Sequence, residues 1–281
     1  MSQRVLVTGA SQGIGLAIAD AFAAAGADVA VCARSQDALQ SAAAGLRERY
    51  PAVRVHAQVA DVGSERDVEA LLDDVVATFG GLDVLVANAG VYGPKGAIED
   101  VDWQSWVDAI RINLLGVVYT TRRALPALRA SERGKIVILS GGGATKPLPF
   151  ISAYATSKAG VVRFGETLAE ELHDVGIDVN MVAPGALNTR LLGEVLDAGP
   201  GVVGAEFYRA ALKQRESGGT PLAIGAELCV FLASRAADGI TGKLISAPWD
   251  PWRRFSEEKE RLDGDVYTLR RIVPEDRGWS W

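Results

Sequence analysis

The sequence predicts an α/β fold: a doubly wound parallel sheet of about seven strands, in one domain (1–249) with a C-terminal extension (250–281). Three observations carry this. Short β-branched apolar runs alternate with longer Ala/Leu-rich stretches of helical period over most of the 281 residues. The runs are continuously apolar and do not alternate with polar residues, as burial on both faces of a parallel sheet requires. Strict strand–helix–strand order then implies right-handed crossovers, which put helices on both faces.

In chain order, residues 4–10 read as a strand and 13–26 as a helix that Gly26 ends. Residues 27–34 are a second strand, followed by a helix over 35–50 that Pro51 stops. A third strand covers 52–58, and Ser64 is a good N-cap for a helix over 64–80. The fourth strand is 82–90, and one long helix is expected from Asp102 to Ala130, with Pro126 near its end. Strands at 134–140, 176–185 and 242–248 and helices at 153–175 and 227–235 complete the pattern. After Trp249 the rhythm breaks into a charged tail with Trp252, Trp279 and Trp281. Large aromatics in a polar tail point to docking, either over the chain's own pocket or across a subunit interface.

Composition narrows the function. With 48% hydrophobic and 23% charged residues, a packed globular core is expected. A net charge of −6 argues against nucleic acid as a partner, since phosphate binding wants a basic face. Cys32 and Cys229 lie far apart in apolar runs and read as buried reduced thiols. His56 and His173, the only histidines, have no cluster around them, so neither a metal site nor a His-dependent triad is expected. No apolar run approaches the roughly 18–20 residues that span a bilayer. The chain enters its first strand without a leader pattern, so a cytoplasmic location and no membrane partner are expected.

Ligands of such sheets sit beyond the carboxyl ends of the strands. Here the strand ends carry Gly9 to Gly15, Arg34-Ser35, Asp61-Val62, Asn88-Ala89-Gly90, Ser140 with three glycines, and Pro184-Gly185. Special residues gathered on one edge mark the binding site. The first turn, Gly-rich and leading into a helix, suits a pyrophosphate at free helix amides; the bland reading is a flexible turn. About 20 residues on, an Asp or Glu would bind an unphosphorylated ribose. Arg34 stands there instead and favours a 2′-phosphate, hence NADP over NAD, unless it stacks on adenine or faces solvent. Tyr154 and Lys158, four apart, share one helix face, and a close cation favours a phenolate. Alone that pair is weak, because surface helices carry it by chance.

These residues together resemble the short-chain dehydrogenase/reductase family over roughly 3–247. Thr8-Gly9-Ala10-Ser11-Gln12-Gly13-Ile14-Gly15 is similar to its cofactor turn, Asp61 with Val62 to its adenine contact, and Asn88-Ala89-Gly90 to its Asn-Ala-Gly motif. Asn113 matches the helix asparagine of its proton relay, Tyr154 and Lys158 its Tyr-x-x-x-Lys pair, and Pro184-Gly185 with Leu187 and Thr189 its nicotinamide segment. The resemblance implies a Rossmann-type fold and an oxidoreductase that interconverts a hydroxyl and a carbonyl on a small or medium-sized substrate. Tyr154 would exchange the proton, Lys158 would hold the ribose and lower the Tyr154 pKa, and Asn113 would support a water. It also implies a homo-oligomer, tetramer or dimer.

Three departures stand out. The family's serine lies thirteen residues before the tyrosine, and here that position is Gly141. Ser140, one residue earlier, is the favoured substitute because adjacent glycines make a shift cheap; Thr145 and the amides of Gly141 to Gly143 are the other donors. The family's Asp-Gly-Gly after the last strand is replaced by Pro248-Trp249-Asp250-Pro251-Trp252, and Gln12 stands where NADP-preferring members often carry a cation. Two alternatives follow: a non-catalytic NADP-binding sensor or scaffold, and a reductase of C=C or imine bonds.

Overall fold

The computed structural model describes residues 2–279; the expectation for Trp281 lies outside them. Seven strands form one all-parallel sheet: β1 (Arg4–Thr8), β2 (Asp28–Ala33), β3 (Val55–Val59), β4 (Val84–Ala87), β5 (Lys135–Leu139), β6 (Asp178–Ala183) and β7 (Leu244–Ser246). Their order is β3-β2-β1-β4-β5-β6-β7. The chain winds outward from β1 to β3, then returns to lay β4 on the other side of β1. At that reversal the connections leave in opposite directions and open a crevice beyond Thr8 and Ala87.

The strands present alternate residues to the two helical layers. Val5, Val7, Val84 and Val86 face α1 (Gly13–Ala24), α2 (Gln36–Arg49) and α10 (Leu222–Ala233), packing with Ile18, Phe22, Leu39 and Leu228. Leu6, Leu85, Ile136 and Ile138 face α3 (Glu65–Phe79), α5 (Gly116–Arg129) and α6 (Ser152–Leu172), packing with Leu71, Val75, Leu128 and Val161. Both sets are buried, so the uninterrupted apolar runs have two cores to fill. Ser64 caps α3 as expected, its side chain accepting from the Asp67 amide.

The helix expected from Asp102 to Ala130 is in fact broken. Asp102 caps α4 (Trp103–Ile110), and a π-helical turn over Arg111–Leu115 separates it from α5. Propensity favours an unbroken helix there, but two tertiary attachments hold the wider turn: the Arg111 guanidinium donates to the Gly63 carbonyl at 2.8 Å, and Asn113 is bonded to the loop after β4. Such one-turn widenings concentrate at functional sites.

Between β6 and α10 lie α7 (Arg190–Ala198), α8 (Pro200–Val203) and α9 (Ala205–Ser217). They enclose a small core of their own, Leu192, Val195, Val203 and Ala211, against Tyr92 and Phe207. The tail follows the free edge of β7. Trp252, Phe255 and Leu262 enter the first core, and the Trp252 indole donates to the Ala247 carbonyl at 2.9 Å. The Leu244 amide donates to Tyr267 at 2.7 Å, and Lys243 donates to the carbonyls of Gly264 and Val266 at 3.0 and 3.1 Å. The sheet edge is thereby covered by its own chain. Trp252 is thus core, Trp279 is exposed, and Trp249 alone of the described tail tryptophans borders a cavity.

Candidate active site

A cavity of about 1230 Å³ opens along the carboxyl edge of the sheet. It is bordered by Gly9, Ser11, Gln12, Gly13, Ile14 and Gly15 after β1, Arg34 and Ser35 after β2, and Asp61 and Val62 after β3. Asn88, Ala89 and Gly90 follow β4, Ser140 follows β5, Tyr154 and Lys158 come from α6, and Pro184, Gly185, Leu187 and Thr189 follow β6. Of the residues anticipated from sequence, only Asn113 stands behind the cavity wall, fully buried.

The turn after β1 leaves no room for a side chain at Gly9 or Gly15. A Cβ on Gly9 would lie 2.7 Å from the Ala89 Cα, and one on Gly15 would lie 2.3 Å from the Gly9 carbonyl oxygen and 2.4 Å from Asn88 Nδ2. Gly9 also needs φ +67, in the left-handed region. Asn88 fixes this packing: Nδ2 donates to the Thr8 and Gly9 carbonyls at 2.8 and 3.1 Å, and the Thr8 hydroxyl accepts from the amides of Asn88 and Ala89 at 3.0 and 3.1 Å. Gln12, at the α1 N-cap, makes no side-chain capping bond, so the first amides of the helix are left for a ligand. A cradle of bare backbone at a helix N-terminus fits the pyrophosphate of a dinucleotide. Arg34 is exposed on the cavity rim and pairs with no carboxylate among the described residues.

At the other end, the Lys158 ammonium lies 5.7 Å from the Tyr154 ring centre and donates to the Leu139 carbonyl at 2.7 Å. Burial pulls Lys158 down to about 8. The phenol does not follow the sequence expectation of a lowered pKa. Burial pushes Tyr154 far above its usual range, and Tyr92, edge-on at 4.7 Å, adds to the effect. In this enclosure Tyr154 is a proton-bearing phenol, able to donate.

Asn113 fastens the walls of this end together. Its Oδ1 accepts from the Val91 amide at 2.8 Å, and its Nδ2 donates to the Val91 carbonyl at 2.7 Å and to the Ser157 hydroxyl at 3.0 Å. Ser157 in turn donates to the Tyr154 carbonyl at 2.7 Å. The π-turn over Arg111–Leu115 carries this amide against the loop after β4.

Ser140 does not take the place foreseen for it. Its hydroxyl is buried and donates to the Lys158 carbonyl at 3.2 Å. The neighbouring Gly141 faces the phenol, and a Cβ there would lie 2.6 Å from the Tyr154 hydroxyl. Successive residues leave a strand in opposite directions, so the triple glycine does not turn Ser140 around. Among the alternatives, Thr145 borders the cavity with Gly141 and Gly142. Sequence reasoning missed Tyr92, Lys146, Phe207 and Gln214, which also border it. Tyr92 follows a strand end and Lys146 lies in the Gly/Pro-rich turn, so position alone could have flagged both. Phe207 and Gln214 carry no local signal.

Among the described residues, no helix is long and apolar enough to cross a membrane, and no cluster of three or more His, Cys, Asp or Glu could hold a metal. The short chain dehydrogenase family model matches residues 3–198. A D-beta-hydroxybutyrate dehydrogenase of Cupriavidus necator is 34% identical over 245 residues, 85% of this chain and 93% of that protein. An NADPH-bound short chain oxidoreductase from Pseudomonas aeruginosa, described as containing an atypical catalytic center, superposes with a TM-score of 0.77 at 28% identity, covering 89% of this chain and 99% of that one. NAD+-bound xylitol dehydrogenase gives the same TM-score and identity over 87% and 96%.

Proposed function

The chain belongs to the short chain dehydrogenase family, NAD(P)-dependent oxidoreductases acting on hydroxyl and carbonyl groups, and from that premise we propose an NADP-dependent carbonyl reductase with Tyr154 as its proton donor. The observation that supports this best is the enclosed Tyr154–Lys158 pair at the end of a cavity whose far end is a glycine cradle. Bound there, the nicotinamide dinucleotide supplies the hydride. Gly9 to Gly15 hold its pyrophosphate, Arg34 and Ser35 a 2′-phosphate, and Asp61 and Val62 the adenine side. Lys158, already positioned by Leu139, holds the ribose hydroxyls, while Pro184, Gly185, Leu187 and Thr189 meet the carboxamide.

The substrate oxygen rests between the Tyr154 hydroxyl and the Gly141 backbone. Enclosure keeps the phenol protonated, so Tyr154 gives its proton as negative charge develops on that oxygen. With the Ser140 hydroxyl committed to the Lys158 carbonyl, Thr145 and the backbone of Gly141 and Gly142 are the neutral groups left to orient it. Asn113 positions α6 against the loop after β4. The tail from 250 to 269 seals the sheet edge, and the enzyme is a cytoplasmic homo-oligomer.

The test is NADPH oxidation against a panel of carbonyl compounds. Tyr154→Phe should lose about 10²- to 10⁴-fold in turnover while still binding NADPH by fluorescence; a fully active variant overturns the assignment. Arg34→Ala should weaken NADPH about tenfold or more and leave NADH nearly unchanged. Equal loss for both cofactors would refute the NADP preference. Gly141 favours one second reading, reduction of C=C or imine bonds, where no hydroxyl need hold a carbonyl; product analysis separates the two.

A further inference from the structure

The charged groups around the Tyr154 end of the cavity do not balance. Glu194, on α7, pairs with Arg190 and also accepts from Lys95 Nζ at 3.0 Å. One carboxylate therefore serves two cations. Lys95 reaches Glu194 from beside Tyr92, its ammonium 5.8 Å from that ring, and Tyr92 touches Tyr154 edge-on. Of these three charged groups Arg190 borders the cavity, and so does a further cation, Lys146, which comes from the turn after β5 and has no carboxylate partner among the described residues. Its Cε lies 3.9 Å from where a Cβ of Gly142 would stand, one residue from the Gly141 that faces the Tyr154 hydroxyl. Lys146 and Arg190 thus put two cations on this part of the cavity wall, and the one carboxylate paired with Arg190 is shared with Lys95, on a chain whose net charge is −6.

Asp61 borders the cavity at the strand end after β3, and Asp250, the other acid on its border, does not correct this. It is committed to the Ser246 amide at 2.6 Å, and burial raises its pKa, with the Ser246 bond opposing. The turn that carries Lys146 is pinned on both sides. Phe150 is held at φ 67, its carbonyl accepts from the Gly96 amide at 2.9 Å, and its ring lies within 2.7 Å of where a Cβ of Gly204 would be. A bulky residue kept in the left-handed region shows the surrounding structure fixing this turn. The wall of the cavity also carries apolar Leu148, Ile151 and Phe207.

We propose that the substrate is a ketone bearing a carboxylate, or the matching hydroxy acid, and that Lys146 holds that carboxylate while the carbonyl sits at Tyr154. This rests on the reading of Tyr154 as the reacting end. The carbonyl carbon takes the hydride of NADPH and its oxygen the phenolic proton; the carboxylate is unchanged. The Arg190 fork is already paired with Glu194, and the single Lys146 ammonium left suits a singly charged carboxylate better than a phosphate.

The test compares oxo acids of increasing chain length with their methyl esters, using the full-length enzyme and NADPH, with a neutral diketone as reference. Wild type should prefer acids, and Lys146→Met should lower the acid-to-ester ratio of kcat/KM about 10- to 100-fold through KM, with Lys146→Arg intermediate. Binding of the hydroxy acids to the enzyme–NADPH complex, followed by NADPH fluorescence, should weaken in parallel. Turnover of esters and diketone with no preference for acids, or a preference that survives Lys146→Met, overturns this proposal and leaves the carbonyl reductase standing. Lys146-dependent binding of the acids without turnover of any carbonyl supports the anion site and defeats the carbonyl reductase reading. A fall in kcat of equal size for acids, esters and diketone also overturns the proposal, since Lys146 would then act on the reacting oxygen.

Discussion

Replacing Lys158 with methionine should change how stability depends on pH, in a direction and by an amount the structure sets. The Lys158 ammonium is 4% exposed, has the Leu139 carbonyl as its acceptor at 2.7 Å, and is pulled by burial from 10.5 to about 8. Because its folded pKa lies below its unfolded one, the folded state bears the full cost of the buried charge below about pH 8. Between about 8 and 10.5 the folded state has shed a proton that the unfolded chain still binds, so stability rises with pH. At about 1.36 kcal/mol per pH unit, that gap is worth about 3 kcal/mol in all, of which about 1 kcal/mol is recovered between pH 7 and 9. Methionine keeps the length and lacks the charge. Urea unfolding of both proteins without cofactor, followed by tryptophan fluorescence at pH 7, 8 and 9, isolates the effect, because every other titrating group is common to both. Wild-type stability minus that of Lys158→Met should rise by about 1 kcal/mol over this range. A difference that stays flat would refute burial as the cause of the lowered pKa.

Gly15→Ala places its Cβ against the Gly9 carbonyl oxygen, a backbone atom that cannot move aside without shifting the turn. NADPH affinity should fall at least about tenfold by fluorescence titration, and wild-type affinity would show that the cradle is looser than its distances imply. Trp252→Ala removes a buried indole and leaves the Ala247 carbonyl without its donor, so it should cost about 3–5 kcal/mol in denaturant unfolding. A loss under about 1 kcal/mol would mean the tail merely rests on the domain.

The covered edge of β7 bears on how the extension works. Tyr267 accepts from Leu244, and the Glu166 carboxylate accepts from the Leu269 amide at 2.5 Å, so the tail is tied to both β7 and α6. α6 also carries Tyr154 and Lys158. The tail thus braces the helix that bears the Tyr154–Lys158 pair.

What the sequence determined by itself is whatever local chemistry forces. Continuous apolar runs could bury only between two helical layers, and the glycine turn after the first strand could only be bare backbone. The strand-end rule therefore located the cavity and the part of its border that follows the strands, from Gly9 to Gly185, while the walls from α7, α9 and the tail carried no such signal. What only the tertiary structure decided is direction. Ser140 and Gly141 are adjacent in the chain, yet one faces the backbone of α6 and the other the Tyr154 hydroxyl. That choice follows from the pleat of β5 and its register with β6, which no local pattern records. The π-turn at Asn113 is likewise set by bonds to Val91 and Gly63, distant in sequence, which override helix propensity. The sharing of Glu194 arises only because α7 and the loop after β4 bring two cations to one glutamate. Ion pairing depends on separation in space, and residues 95, 190 and 194 come together only when the chain has folded.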